Sequence, residues 1–480
     1  MNGAEVNGAA MNARPSLVEA PVGSLLGTVE NGVRRFLGIP YAEAPVGALR
    51  FAPPRPLAPF ETPFPADRQG ATPQRVPLFE ITTIPEPSIP GDATLTLDVF
   101  APERCEGAPV LFWIHGGGYI AGSPASPWYD GSAFAQDGVI TINASYRLGI
   151  DGFGVIPGAP HNRGLRDLIA ALHWVRQNAA ALGGDPDRVT IAGQSAGGGA
   201  VLALLASPAA TGLFRAAISV SGTDISFSEA DARAATVAVA EAMDIDATVE
   251  GFGPRDDGAP MHAILQLRDA ESSGLPINLG PVHGDDILPE PIPRALGHSG
   301  TTVPLLIGAT ADEFDGGPTP ENSTRPGPQD PAVLAAKTAG TRVTDTLFRA
   351  ACVRAAANRR DVAAGTWLYS FDWPSPVMNG ATHCIDLPFL FNNLAAEGVA
   401  AALGAAPPTS LAAAVHADVV DFVRGAEPGW QRASGIAGDA ARVYTPNGTA
   451  TVESGSFDPC VRHLAGNVVS DRDDRSRVGG

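Results

Sequence analysis

The sequence has few cysteines, few basic residues and no long apolar run. Its 480 residues include four cysteines, none in a CxxC pair, so we expect no zinc site or redox motif, and the pattern fits a reducing compartment. Thirty-two Lys and Arg residues against 51 Asp and Glu residues give a net charge of −19, which argues against nucleic acid as a partner. Because no run of about 18 apolar residues occurs, we expect no membrane span.

The two ends of the chain lack the features of targeting segments. Residues 1–15 have neither a basic region nor an apolar region, so they do not resemble a signal peptide, and we predict a disordered tail there. Residues 466–480 are charged and are predicted to be frayed. These features predict a cytoplasmic protein with a single domain over residues 16–465.

Segments typical of buried strands alternate with a segment typical of a helix through the middle of the chain. Residues 108–118 and 138–147 are nearly continuous apolar or β-branched runs, and residues 165–182 repeat apolar side chains at helical spacing. Strands that lack polar alternation are buried on both faces, as in a parallel sheet covered by helices. The sequence therefore predicts an α/β fold with a mostly parallel central sheet flanked by helices.

Two further patterns refine this fold. Residues 24–39 place short apolar stretches on both sides of Asn31-Gly32, a dipeptide that favours a tight hairpin turn. Two other regions, about 225–300 and 314–365, are interpreted as helical insertions that form a cap.

The sequence GQSAG at residues 193–197 has the pattern GxSxG. A β-branched strand precedes it and a helix-forming run follows it, which is the context of a nucleophile elbow at Ser195. The turn requires small neighbours, and the N-terminus of the following helix favours negative charge. An ordinary glycine-rich turn between a strand and a helix stays an alternative for the motif alone.

The sequence HGGGY at residues 115–119 directly follows an apolar strand. Consecutive glycines let backbone N–H groups approach one substrate oxygen, where acyl transfer builds up negative charge. A flexible loop is an alternative, and a phosphate cradle is another, although it lacks the Lys-Ser/Thr partner of such cradles. His115 itself is expected to have a structural role.

A serine hydroxyl needs a base, and nine histidines are available. His383 follows a predicted strand and a turn that contains glycine, which makes it the first candidate. His283 lies in a loop and is the second candidate. His173 lies within the predicted amphipathic helix and is expected on the surface or in packing.

A third residue must orient the base and stabilise its cation. Glu313 follows a buried strand and gives the chain order serine, acid, histidine that this type of site has. Asp312 and Asp315 are its rivals. No cluster of His, Cys and Asp has metal-ligand spacing, so we expect no metal and no organic cofactor.

Together these segments resemble the type-B carboxylesterase/lipase family of the α/β-hydrolase superfamily, which includes carboxylesterases, para-nitrobenzyl esterases and cholinesterases. The resemblance extends to about residue 445 and is most specific in the middle of the chain. The segments that carry it are GTVENGVRRFLGIPYAEAPVGALRFAPP (27–54), WIHGGGYIAGS (113–123), SYRLGIDGFG (145–154), GLRDLIAALHWVRQNAAALGGDPDRVTIAGQSAGG (164–198), GATADE (308–313) and ATHCIDLPFLF (381–391).

The resemblance implies a catalytic domain of the α/β-hydrolase fold and a serine carboxylic-ester hydrolase that acts through an acyl-enzyme on small to medium neutral esters. Its partners would be the ester and water, in a monomer or homodimer. The implied residues are Ser195 as nucleophile, Glu313 as acid, His383 as base, the N–H groups of Gly117, Gly118 and Ala196 as oxyanion hole, and Gln194 and Tyr119 in the substrate pocket.

Several positions depart from the family pattern. Gln194 stands where the family usually has Glu, which removes a carboxylate beside the site and is expected to change the pH dependence or the cation preference. The cysteine of the family's N-terminal disulfide loop is absent near residues 91–100. Asp92 is nevertheless expected to pair with Arg50, as the family's acidic residue does with its arginine.

Two other function classes fit the same fold. One is a non-enzymatic binding or adhesion module, which would have lost the serine or its partners. The other is an enzyme of another reaction class, such as a lyase or a hydrolase of C–N bonds, because a fold does not determine chemistry. Comparing the turnover of amides and esters separates the hydrolytic possibilities.

Overall fold

The computed structural model describes residues 13–73, 76, 83–253, 258–270, 279–300, 302–314, 340–462 and 464. Within these ranges one sheet carries thirteen strands. The strands are β1 (Arg14–Ala20), β2 (Gly23–Glu30), β3 (Val33–Pro40), β4 (Phe64–Pro65), β5 (Thr96–Pro102), β6 (Ala108–Ile114), β7 (Ile140–Ala144), β8 (Gly184–Gln194), β9 (Ala216–Val220), β10 (Leu305–Thr310), β11 (Thr366–Phe371), β12 (Ala440–Tyr444) and β13 (Ala450–Ser454).

The strand order is β1-β2-β3-β5-β7-β6-β8-β9-β10-β11-β12-β13, and β4 pairs with β2. All pairs from β7 to β12 are parallel. Every residue of β6, β9, β10 and β11 is buried, as continuous apolar strands covered on both faces require. The predicted mostly parallel central sheet of an α/β protein is confirmed.

Antiparallel strands lie at both edges of the parallel centre. β2 and β3 form the predicted hairpin, and both turn residues have positive φ, 51° at Asn31 and 77° at Gly32. β1 begins at Arg14, two residues before the expected start of the domain, and pairs with β2 over its whole length. The hairpin of β12 and β13 at the opposite edge has no counterpart among the sequence-based expectations.

Helices cover both faces of this sheet. The helices in the described ranges are α1 (Ser132–Gln136), α2 (Gly149–Phe153), α3 (Arg163–Asn178), α4 (Ala196–Ala206), α5 (Glu229–Ala242), α6 (Ala259–Ala270), α7 (Ile292–Ala295), α8 (Ala350–Asn358), α9 (Leu387–Leu390), α10 (Val399–Leu403) and α11 (Thr409–Arg424). α3 is the amphipathic helix that was predicted for residues 165–182, and it begins two residues earlier and ends four residues earlier.

Alternate residues of β6 contribute to two separate cores. Val110, Phe112 and Ile114 belong to the core that contains α3 and α4, whereas Leu111 and Trp113 belong to the core that contains α11. This follows from the period of two in a strand, which sends successive side chains to opposite faces. The centre of the sheet is therefore packed on both faces.

The described parts of the two predicted insertions contain several helices. α5, α6 and α7 lie in the first region, and α5 begins at a Ser228 side chain that accepts a hydrogen bond from the N–H of Asp231 at 3.1 Å. α5 and α6 pack with residues of the segment after β6 in a third, smaller core. Residues 271–278 and 315–339 of these insertions lie outside the described residues.

Two arginines anchor the long segment between β3 and β5. Arg147 and Asp167 form a fully buried ion pair with Nη2 to Oδ1 at 2.7 Å, and Arg147 Nη1 also donates to the carbonyl oxygens of Arg50 and Ala52. Arg50 pairs with Asp151, with Nε to Oδ2 at 2.9 Å, so the expected pair with Asp92 is wrong. Asp92 is exposed, whereas Asp151 lies in α2, which packs against α3.

The four cysteines are free thiols in the structure. Among the helices that the structure describes, none is both long enough and apolar enough to cross a membrane.

Candidate active site

The segments that carry the predicted functional residues follow the carboxyl ends of four strands. Residues 115–119 follow β6, Ser195 follows β8, Glu313 lies three residues after β10, and His383 lies in the loop after β11. Because these strands are parallel, their carboxyl ends lie at one edge of the sheet, where sites in α/β proteins are built.

Ser195 occupies a strained turn between β8 and α4. Its φ of 57° and ψ of −122° lie outside the regions that ordinary residues favour, and its N–H donates to the carbonyl oxygen of Val220 at 2.9 Å. A Cβ on Gly197 would lie 2.1 Å from the carbonyl oxygen of Ile114, so only glycine fits where α4 touches β6. The strand, turn and helix expected for a nucleophile elbow are therefore present.

The loop of residues 115–119 reverses direction beside this turn. Gly117 and Gly118 have φ values of 112° and 63°, and the carbonyl oxygen of Gly117 accepts from the N–H groups of Ile120 and Ala121. Within the described ranges, the N–H groups of Gly117, Gly118 and Ala196 donate to no acceptor of the protein. Ala196 is the first residue of α4, where N–H groups lack a partner inside the helix and carry partial positive charge.

His383 and Glu313 form a direct pair. The imidazole Nδ1 makes a short hydrogen bond to Glu313 Oε2, and the N–H of His383 also donates to the carbonyl oxygen of Glu313 at 2.8 Å. The second carboxylate oxygen of Glu313 accepts from the N–H of Thr310 at 2.9 Å. The carboxylate is thus fixed between the end of β10 and the imidazole ring.

The rival acids are placed differently. Asp312 accepts a hydrogen bond from the N–H of Ala381 at 2.9 Å, so its carboxylate braces the loop that carries His383. Asp315 lies outside the described residues. Adjacent side chains diverge in extended or turn structure, and this divergence explains why only one residue of the pair 312–313 contacts the imidazole.

The environment of His383 favours its protonated form. Burial opposes the charge, but the adjacent Cys384 and the Glu313 carboxylate outweigh it and raise the pKa of the imidazole well above its usual value. Burial also raises the pKa of the Cys384 thiol, which therefore stays neutral, so Glu313 is the charge that matters. Such a pair holds the proton on Nδ1 and leaves Nε2 to exchange protons.

Two aromatic rings that the sequence analysis did not identify lie against this imidazole. Phe314 is stacked at a centroid distance of 5.2 Å, and Phe348 is tilted at 5.1 Å. Phe314 directly follows Glu313, but Phe348 lies in a π-helical turn over Thr344–Arg349, distant in sequence. Its position depends on tertiary packing, and no local pattern signals it.

The two residues predicted for the substrate pocket are both buried. Gln194 directly precedes Ser195, and its Nε2 lies 3.1 Å from His383 Nε2 and 3.1 Å from Cys384 Sγ. Tyr119 has a φ of 62°, packs against Phe153 at 4.8 Å, and has a buried hydroxyl without a partner among the described residues.

Among the described residues, neither His283 nor His115 makes a hydrogen bond to a carboxylate. The N–H of His283 donates to the carbonyl oxygen of Phe227, and its buried Nδ1 has no partner in the described ranges. Burial lowers the pKa of His115 to about 4, and this ring stacks on Tyr146 at 4.6 Å. His115 therefore packs as a neutral ring, as expected for a structural residue.

No group of three or more His, Cys, Asp or Glu side chains in the part of the chain that the structure describes is arranged to hold a metal ion.

Comparison with known proteins gives consistent matches. The model of the carboxylesterase family matches residues 14–319. The para-nitrobenzyl esterase of Bacillus subtilis (strain 168) is 35% identical over 410 residues, which cover 79% of this chain and 83% of that protein. The phenmedipham hydrolase of Pseudarthrobacter oxydans is 33% identical, with 80% and 84% covered. A solved thermophilic para-nitrobenzyl esterase superposes with a TM-score of 0.82 at 31% identity, covering 94% of this chain and 99% of that one.

Proposed function

Because the chain belongs to the carboxylesterase family, we propose that it hydrolyses carboxylic esters through an acyl-enzyme on Ser195. The observation that carries this proposal is the His383–Glu313 pair at the sheet edge where the strained turn presents Ser195. The chain order serine, acid, histidine is the one expected for a serine hydrolase of this fold, and the acid bonds directly to the base.

In the first half-reaction, Ser195 Oγ attacks the ester carbonyl carbon while His383 Nε2 takes the hydroxyl proton. The carbonyl π-bond opens, and the resulting oxyanion is stabilised by the N–H groups of Gly117, Gly118 and Ala196, which are free to donate. The intermediate collapses, the bond to the alkoxy oxygen breaks, and His383 gives its proton to the leaving alcohol.

In the second half-reaction, water takes the place of the alcohol. His383 removes a proton from the water, whose oxygen attacks the acyl carbon, and the bond to Ser195 Oγ breaks as His383 returns the proton to the serine. The carboxylic acid leaves. Glu313 keeps the imidazole oriented and stabilises its cation in both halves.

The substrates we propose are small to medium neutral esters. The rings of Phe314 and Phe348 beside His383 offer apolar surface, and Gln194 replaces with a neutral amide the carboxylate usual at that position in the family. A carboxylate at this position would favour cationic substrates through charge attraction, and the neutral amide does not.

A panel of p-nitrophenyl esters of increasing acyl length, measured on wild type and Ser195→Ala, tests this proposal. We expect turnover by wild type and a loss on the order of 10⁴-fold or more in the variant. Ser24→Ala, in β2, the second strand from one edge of the sheet, is the matched control and should keep its activity. Folding of each variant is checked by circular dichroism. Near-native turnover by Ser195→Ala would rule out the serine mechanism.

A further inference from the structure

We infer that Gln194 is a positioning residue that favours the neutral, proton-accepting form of His383, against the effect of Glu313, by donating a hydrogen bond to Nε2. The inference rests on the proposed function, because it concerns the base of that reaction. It also gives a definite role to the residue that replaces the family's usual Glu.

The geometry places the amide at the reacting nitrogen of the base. Gln194 Nε2 lies 3.1 Å from His383 Nε2, while the opposite ring nitrogen, Nδ1, bonds to Glu313. Within the described ranges, no hydrogen bond joins Ser195 Oγ to the imidazole, so the amide occupies the lone pair that must later accept the serine proton.

The amide is held in place on two sides. Gln194 is 1% exposed, and its Nε2 also lies 3.1 Å from the sulfur of Cys384, which follows the base in the chain. On the other side, a Cβ on Gly116 would lie only 2.7 Å from Gln194 Oε1, so the side chain packs directly against the loop of residues 115–119. A buried carboxamide confined in this way has little freedom to turn away from His383.

The contact between Gln194 and His383 favours one protonation state of the imidazole. Because Glu313 accepts from Nδ1–H, neutral His383 has its lone pair on Nε2, and an amide N–H is a matching donor for it. A protonated imidazole would present Nε2–H to the same amide N–H, and two donors would face each other. Gln194 therefore favours the neutral ring and opposes the effect of Glu313.

The charged and titratable groups around the imidazole do not provide this opposing effect. Glu313 and Asp386 are carboxyl groups, and burial together with the Glu313 charge raises the pKa of Asp386 to about 7. Burial raises the pKa of the Cys384 thiol and of the Tyr129 phenol beside it, so both stay neutral. Besides burial itself, the amide of Gln194 is the contact among the described residues that disfavours the imidazolium.

The test compares Gln194→Glu and Gln194→Met with wild type. Glu places a carboxylate beside Nε2, which stabilises the imidazolium. The acidic limb of the profile of kcat/KM against pH should therefore shift to higher pH by about one to three units. Met removes the donor without adding charge, so the limb should move in the same direction by less. At neutral pH, kcat should fall in both variants while KM changes little.

The same titration can be followed without turnover. In a Ser195→Ala background, histidine-selective NMR labelling reports the pKa of His383, assigned by loss of its signal in His383→Gln. Gln177→Glu is the matched control, since it makes the same charge change at an exposed position of α3. It should leave the His383 titration unchanged.

The outcomes separate the two claims. A His383 pKa that is equal in wild type, Gln194→Glu and Gln194→Met would overturn the role of Gln194 while leaving the serine mechanism intact. Full ester turnover by Ser195→Ala would instead overturn the proposed function, whatever the titration shows.

Discussion

The Arg147–Asp167 and His383–Glu313 pairs both join a basic side chain to a fully buried carboxylate, yet they are built for different purposes. Arg147 is 3% exposed, and all its side-chain nitrogens donate to Asp167 or to backbone carbonyl oxygens. His383 is 17% exposed, and its second nitrogen lies 3.1 Å from the neutral amide of Gln194. All the side-chain nitrogens of Arg147 are used, so the Arg147–Asp167 pair has a structural role. The His383–Glu313 pair leaves one imidazole nitrogen able to exchange a proton.

The largest expected effect is on the base. His383→Ala removes the group that accepts the serine proton, so we expect a loss of kcat on the order of 10⁴-fold or more. His283→Ala is the matched control and should retain substantial activity, because no carboxylate orients that ring among the described residues. Steady-state kinetics on p-nitrophenyl acetate measures both variants, and the opposite ranking would transfer the role of base to His283.

The next effect concerns the acid. Glu313→Gln keeps the shape but can present an amide donor to the wrong nitrogen, so turnover should fall by roughly 10³–10⁴. Asp312→Asn should cost far less, since that carboxylate accepts from the backbone N–H of Ala381 and makes no hydrogen bond to the imidazole in the described structure. If Asp312→Asn or Asp315→Asn lost turnover while Glu313→Gln kept it, the acid would be misassigned.

Disrupting the Arg147–Asp167 pair should lower the free energy of unfolding but leave kcat nearly unchanged. Asp167→Asn leaves the buried guanidinium of Arg147 without its counter-charge, which costs about 3–5 kcal/mol of the free energy of unfolding. Urea unfolding measures this loss, and kcat per folded molecule should stay within a few-fold of wild type. If kcat fell as it does in Glu313→Gln, the distinction between the two pairs would be lost.

The smallest effect is a dependence of stability on pH. Because the pKa of His383 is raised by folding, the His383–Glu313 interaction stabilises the protein fully below the unfolded pKa of about 6.5 and is lost as pH rises through the folded pKa. The difference in unfolding free energy between wild type and Glu313→Gln should therefore decline as the pH rises from about 6.5 through the raised folded pKa of His383. A difference that grows over this interval would contradict the raised pKa.

Much of this architecture could be predicted from local sequence. The apolar runs, the Asn31-Gly32 turn and the GxSxG context each depend on residues close in the chain, and the structure has the corresponding strands, hairpin and elbow. The resemblance to a family added the choice of Glu313 over Asp312, which residue type alone left open.

The remaining features depend on contacts between distant segments. Arg50 pairs with Asp151 because α2 lies close to it in space, and Phe348 reaches His383 from another insertion. The β12–β13 hairpin joins the sheet about 400 residues after its first strands. No local spacing encodes these pairings, because they are decided by how the insertions pack on the sheet.

The most direct test of the central claim is covalent labelling of the nucleophile. The native protein is treated with a p-nitrophenyl phosphonate, and intact mass, released p-nitrophenol and residual esterase activity are followed together. We predict one phosphonyl group per chain, complete loss of activity, and an adduct that peptide mapping assigns to Ser195. Full esterase activity after labelling, or an adduct on another residue that accounts for the loss, would contradict the assignment.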